Sequence, residues 1–272
     1  MTALIVSLAA VTGLAVGSFL NVVIYRVPAG MSIVAPASAC PRCGHEIRAR
    51  DNVPVLSWAL LGGRCRDCRV RIPIRYPAVE LATAVAFAAV SLVFASSILV
   101  AGLDVGAALE LIAFLYLAGI SIALAAIDLD VHRLPDVIVL PAYLVGGGLL
   151  TAAAFIEGHP ERLIVAAIGA GVSVLFYGVL WFAKPGGMGL GDVKLAGVLG
   201  MYLGYLGWAQ LAVGVAAAFL LGGIFGIALM LMRRASRTTA VPFGPWMLLG
   251  AWIGITAGAS LAAGYLELVG FG

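Results

Sequence analysis

The chain has little charge. Asp, Glu, Lys and Arg together make up 11% of its 272 residues, while 63% are hydrophobic. No soluble domain of this length needs so much apolar surface, so the bilayer must serve as solvent for most of it. The N-terminus has no basic n-region ahead of its apolar stretch, which excludes the usual cleavable signal and leaves a first spanning helix over 1–25. A low-complexity linker and a long soluble tail are also missing. No glycine-rich loop is followed by Lys-Ser or Lys-Thr, which excludes a phosphate cradle of the usual kind. No Gly-x-Gly-x-x-Gly fingerprint announces a dinucleotide fold.

Glycine, by contrast, is plentiful. Thirty-five glycines suit helices that pack closely in a membrane. The few charges are unevenly placed. Of 16 Lys and Arg, nine lie between Arg26 and Arg75, which marks that insert as the cytosolic side. Charge-free runs over 1–25, 81–103, 112–127, 137–156, 163–183, 195–232 and 243–266 predict spanning helices. The sixth of these is long enough for two helices, with a turn at Gly204-Tyr205-Leu206-Gly207. The expectation is an all-α polytopic membrane protein with about eight transmembrane helices. Residues 1–25 form the first helix, 26–77 a small cytosolic cysteine domain, and 78–272 a seven-helix membrane domain. Alternation puts the N-terminus outside. The insert and the turns Asp128–Arg133, Lys184–Lys194 and Arg233–Arg237 then lie inside, and of the basic residues only Arg162 falls outside.

All four cysteines lie in the insert, as Cys40-Pro-Arg-Cys43 and Cys65-Arg-Asp-Cys68. Two Cys-x-x-Cys pairs at this separation match a closed, four-thiolate zinc site. Such a metal would be structural, folding a polar loop too small for a good core. The other reading is a pair of redox disulfides, which a reducing cytosol disfavours. A zinc ribbon rich in arginine could also bind nucleic acid. Only Trp58 and Tyr76 could stack on bases, so the arginines are better read as topology markers that meet anionic lipid headgroups.

Carboxylates are the scarcest informative groups. Asp192, in Gly189-Leu-Gly-Asp192, opens a helix in the apolar region, and Asp128 ends another helix at the same, inner, edge. A membrane carboxylate costs at least roughly 2.5–3.5 kcal/mol, so each needs a reason. Two aspartates at one face suggest acid–base peptide hydrolysis with one shared proton. Gly187, Gly189 and Gly191 would allow a tight turn and close approach of a substrate backbone. Asp130 points to a different side from Asp128 if the helix continues, and Lys194 faces away from Asp192. Asp136 is read as a cap on the following helix, and His132 as a polar loop residue. A transporter with an acidic site is the competing class, but its carboxylates should lie mid-helix. A zinc-ribbon membrane scaffold without chemistry would not need a glycine-framed acid.

Taken in order, the motifs resemble those of the type IV prepilin peptidases, bifunctional leader peptidase/N-methyltransferases of the GxGD aspartic protease class. They are Gly17-Ser-Phe-Leu-Asn-Val-Val-Ile-Tyr-Arg-Val-Pro28, the two cysteine pairs, Asp51-Asn-Val-Pro-Val-Leu-Ser-Trp58, Arg75-Tyr-Pro-Ala-Val-Glu80, Ile127-Asp-Leu-Asp-Val-His-Arg-Leu-Pro-Asp136, Gly187-Met-Gly-Leu-Gly-Asp-Val-Lys194 and Pro242-Phe-Gly-Pro245. The resemblance implies that Asp128 and Asp192 are the catalytic pair, supported by Gly189, Gly191, Asp130 and Lys194. It implies a substrate, the N-terminus of a prepilin or pseudopilin, cut after glycine at the cytosolic face of a bacterial inner membrane. It also implies N-methylation of the new terminus from S-adenosylmethionine, an activity associated with the cysteine domain, where Gly63, Arg64 and Glu80 are candidates. Family members that lack this domain are peptidase-only.

Overall fold

The structure is a computed structural model that describes residues 2–100, 104–184, 187–232 and 242–270. The expected Arg233–Arg237 turn lies outside the described residues. Among the described residues the only regular elements are helices, apart from two isolated antiparallel bridges, Ala39 with Glu46 and Arg64 with Arg71, in the loop-rich segment over 27–74. Its α-helices are α1 (Thr2–Arg26), the short α2 (Leu56–Leu60), α3 (Arg75–Val100), α4 (Val105–Val131), α5 (Asp136–Ile156), α6 (Glu161–Ala183), α7 (Leu190–Leu206), α8 (Trp208–Leu231) and α9 (Gly244–Leu268).

Eight of these are long helices in the expected order. Among the described residues, seven are long and apolar enough to cross a membrane, so the protein is a multi-pass membrane protein. The eighth, α7, has 17 residues. That is about 25 Å of helix, against roughly 30 Å of hydrocarbon. Several helices outrun the charge-free windows. α3 begins at Arg75 and contains Glu80, and α4 runs from Val105 past Asp128 to Val131. A helix does not stop where a charge begins, so hydropathy windows mark its centre better than its ends. The break between α7 and α8 narrows to one residue, Gly207, whose φ of 137° only glycine adopts readily.

The chain forms two compact units, Met1–Ala123 and Leu124–Gly272. In the first, α1 packs along α3. The approach is close because Gly13 and Gly17 face it: a Cβ at Gly17 would lie 2.6 Å from Glu80 Cα, and one at Gly13 2.7 Å from Ala84 Cα. In the second unit, α7 is the inner helix. It packs against α6 through Gly200 and Gly204, and also meets α5, α8 and α9. From Asp192 to Tyr205 only Lys194 and Met201 are not fully buried. α8 and α9 pair through Gly214, Ala218 and Gly250.

Candidate active site

Two carboxylates in the second unit are each buried at a helix end. Asp128 lies on the last full turn of α4 and is 4% exposed; Asp192 lies in the first turn of α7 and is 8% exposed. α4 stops there because His132 turns left-handed, at φ 52°, while its N–H still bonds the Asp128 carbonyl at 2.9 Å. α7 starts because Gly189 precedes it in extended conformation and Asp192, at the third helical position, reaches back. Its Oδ2 accepts the Gly189 N–H at 2.9 Å. That carboxylate satisfies one of the free N–H groups at the mouth of its own helix.

Asp128 is held by a different helix. Its Oδ2 accepts the N–H of Gly244, the first residue of α9, at 3.0 Å. The positive end of the α9 dipole therefore meets a buried carboxyl group. Glycine at 244 leaves this oxygen in place, since a Cβ there would stand 2.8 Å from it and force the carboxylate to shift. The motif Pro242-Phe-Gly-Pro245 does not by itself reveal this function of Gly244. The available signal is a glycine at the mouth of a helix in a chain with few buried anions.

Leu134, in the short loop between α4 and α5, touches the mouths of both α7 and α9. A Cβ at Gly191 would lie 3.0 Å from Leu134 Cβ, and one at Gly244 would lie 3.3 Å from Leu134 Cδ2. Thus Gly191 gives room for the loop to come close, and one residue, Leu134, borders the helix mouths that hold Asp192 and Asp128.

The remaining candidates are placed as follows. Asp130 is exposed on a different side of α4 from buried Asp128. Lys194 turns away from Asp192, and its ammonium meets both oxygens of Asp136 at 2.8 Å. Asp136 does not cap α5: it is that helix's first residue, Pro135 takes the cap position, and the Asp136 carboxylate is taken by Lys194.

In the first unit, the sulfurs of Cys40, Cys43, Cys65 and Cys68 lie within 4.8 Å of one another, and Cys40 Sγ is 3.7 Å from Cys68 Sγ. A tetrahedral zinc with Zn–S near 2.3 Å needs sulfurs about 3.8 Å apart, so the quartet fits that ion. Two tight turns shape it, each closed by a backbone bond: Gly44 N–H to the Cys40 carbonyl and Arg69 N–H to the Cys65 carbonyl. The N–H groups of Cys43 and Arg42 lower the Cys40 thiol to about 6. Cys43, despite a bond from the His45 backbone, is pushed up to about 12 by burial and by its sulfur neighbours. A bound cation would take the place of the thiol protons.

Gly63 has a packing role. It sits at φ 65°, and a Cβ would lie 2.8 Å from the Trp58 ring. That ring is anchored by its Nε1–H to the Ile72 carbonyl at 3.1 Å. The Arg64 side chain is exposed. Glu80 is buried, and its Oε2 accepts the Val55 N–H at 2.7 Å. Val55 is a β-branched residue at φ 59°, a strained conformation that this carboxylate helps to hold.

These features meet their match in known proteins. The family described as Bacterial Peptidase A24 N-terminal domain matches residues 11–94, and the Type IV leader peptidase family matches residues 115–227. The chain belongs to the type IV leader peptidase family. It is 36% identical to a prepilin leader peptidase/N-methyltransferase of Pseudomonas aeruginosa, over 95% of this chain and 92% of that protein. It is 37% identical to one of Pseudomonas putida, over 98% and 95%. A type 4 prepilin-like proteins leader peptide-processing enzyme of Escherichia coli O78:H11 is 37% identical over 89% and 90%. No solved structure gives a significant match.

Proposed function

We propose that this protein is an aspartic endopeptidase that removes the leader from type IV prepilins or pseudopilins and then N-methylates the new terminus. The observation that carries the first activity is the pair of buried acids at adjoining helix mouths, Asp128 on the Gly244 N–H and Asp192 on the Gly189 N–H. In this reading the pair shares one proton. The ionised member draws a proton from water, which attacks the scissile carbonyl, while the protonated member donates to the carbonyl oxygen. Gly189 puts no side chain beside the Asp192 carboxylate, so a substrate backbone can lie there, while Gly191 lets the Leu134 loop pack against the same turn. Asp130 and Lys194 act at the rim.

The second activity is assigned to the cysteine domain of residues 26–77, with zinc as its structural ion on Cys40, Cys43, Cys65 and Cys68. S-adenosylmethionine supplies the methyl group when bound. Arg64 and Glu80 are the polar candidates for this step, and Gly63 supports them by letting Trp58 pack. The intact cysteine quartet favours this over a peptidase-only enzyme. The charge distribution favours a bacterial inner-membrane location with the N-terminus outside and the dyad facing the cytosol, where leaders lie before export. A transporter is disfavoured because both acids sit at helix ends.

The deciding experiment is to incubate the purified protein with a recombinant prepilin and labelled S-adenosylmethionine. Cleavage after glycine followed by label on the new N-terminus is expected. A prepilin left intact by the wild-type protein would sink the proposal.

A further inference from the structure

We propose that Tyr143 is a positioning residue for leader cleavage: from α5, its hydroxyl and the Asp136 carboxylate grip the two ends of Lys194 and fix the turn of α7 that carries Asp192. This rests on the reading of Asp128 and Asp192 as the reacting pair. Tyr143 and Asp136 are seven residues apart on α5, two helical turns, and so share a face. Both groups act on one residue of α7. The Tyr143 hydroxyl donates to the Lys194 carbonyl at 2.6 Å, and both Asp136 oxygens accept from Lys194 Nζ at 2.8 Å.

The hydroxyl occupies an unusual place. A carbonyl oxygen has two lone pairs, so the phenol bonds Lys194 C=O from outside the continuous helix α7. Room for it comes from Gly197, where any Cβ would collide with Tyr143 Oη and lie 2.6 Å from Val174 Cγ2. A tyrosine that merely needed a hydrogen-bond partner would not require a glycine facing it. The bonded carbonyl lies just beyond Asp192, which is two residues, or about 3 Å along the axis, before Lys194.

The two grips differ in strength. The Lys194 and Asp136 side chains are 32% and 53% exposed, and a solvated ion pair holds position weakly. The phenol is part-buried and bonds to backbone, so it is the firmer of the two. Removing the hydroxyl lets the first turn of α7 shift while leaving every apolar contact of the ring in place. Displacements of this kind cost rate more than binding.

The test compares Tyr143→Phe with wild type as full-length protein in lipid nanodiscs. The readouts are kcat and KM on a prepilin, methylation of an already cleaved pilin, and thermal unfolding. The expected result is a fall in kcat of about tenfold, with KM within about twofold and with methylation and unfolding temperature unchanged. Asp136→Asn should lower kcat by less, and high salt should bring the wild type down to it. A Tyr143→Phe enzyme that cleaves at the wild-type kcat overturns the assignment. So does a parallel loss of cleavage and methylation, which would show that the hydroxyl only holds the fold. Failure of the wild type to cleave would instead remove the peptidase reading itself.

Discussion

The N–H of Gly244 bonds to the carboxylate of Asp128 at 3.0 Å, although 116 residues separate them in the chain. The entry of the last helix is thereby tied to the exit of α4. Gly244→Ala would put a methyl carbon 2.8 Å from the bonded oxygen, and that oxygen would have to move. The expected outcome is a loss of leader cleavage of about 100-fold, the scale that a misplacement near 1 Å produces. Methylation of a pre-cleaved pilin should persist. Paired rate measurements on the two substrates check this, and normal cleavage would show that Asp128 tolerates the shift.

Asp128→Asn and Asp192→Asn should each abolish cleavage, because neither an amide–carboxylate pair nor its mirror image can pass one proton in both directions. Both variants should keep the wild-type helix content by circular dichroism. Each amide still offers an oxygen to the Gly244 or Gly189 N–H. Substantial turnover by either one removes that residue from the dyad.

Cys65→Ser should lose zinc. An alcohol is a poor ligand, and three thiolates leave the tetrahedral shell open. Elemental analysis of the purified variant should read well below one ion per chain, and limited proteolysis should cut within 26–77. Full metal occupancy would contradict a four-thiolate site.

Asp51 offers a pH-dependent test. The bidentate Arg66 guanidinium, with the closest contact at 2.6 Å, holds its carboxyl below the usual carboxylate range. A depressed value in the folded state means that the contribution to stability is fully present above the unfolded value of about 3.9. It is lost as pH falls through the lower, folded value. The wild type should therefore resist unfolding of the cysteine domain better than Asp51→Asn at pH 5 and 7. The gap should close on acidification below about pH 3.9. Hydrogen exchange over residues 48–67 would measure it; a gap that widened in acid would contradict the ion pair.

Much of the architecture was legible because the membrane imposes it. Long charge-free runs must be helices, and arginines concentrated in one insert mark one side. The cysteine quartet was legible because two short turns carry its geometry locally. Asp128 and Asp192 stood out because acids in apolar sequence are costly. What was not legible depends on partners distant in the chain. Nothing near Gly244 announces Asp128, nothing near Leu134 announces Gly191, and Tyr143 gives no local hint of Lys194. The cap expected of Asp136 failed for a local reason, since Pro135 takes the cap position; the lysine 58 residues away that binds its carboxylate was the part no local pattern announced.

α7 is shorter than the hydrocarbon slab, and nearly all of its side chains between Asp192 and Tyr205 touch protein. Its depth is therefore dictated by neighbouring helices and hardly by lipid. In thicker or thinner bilayers the outer helices have to tilt, while the segment bearing Asp192 follows its protein surroundings. An acid seated on such an inner strut keeps its setting when the host cell remodels its lipids.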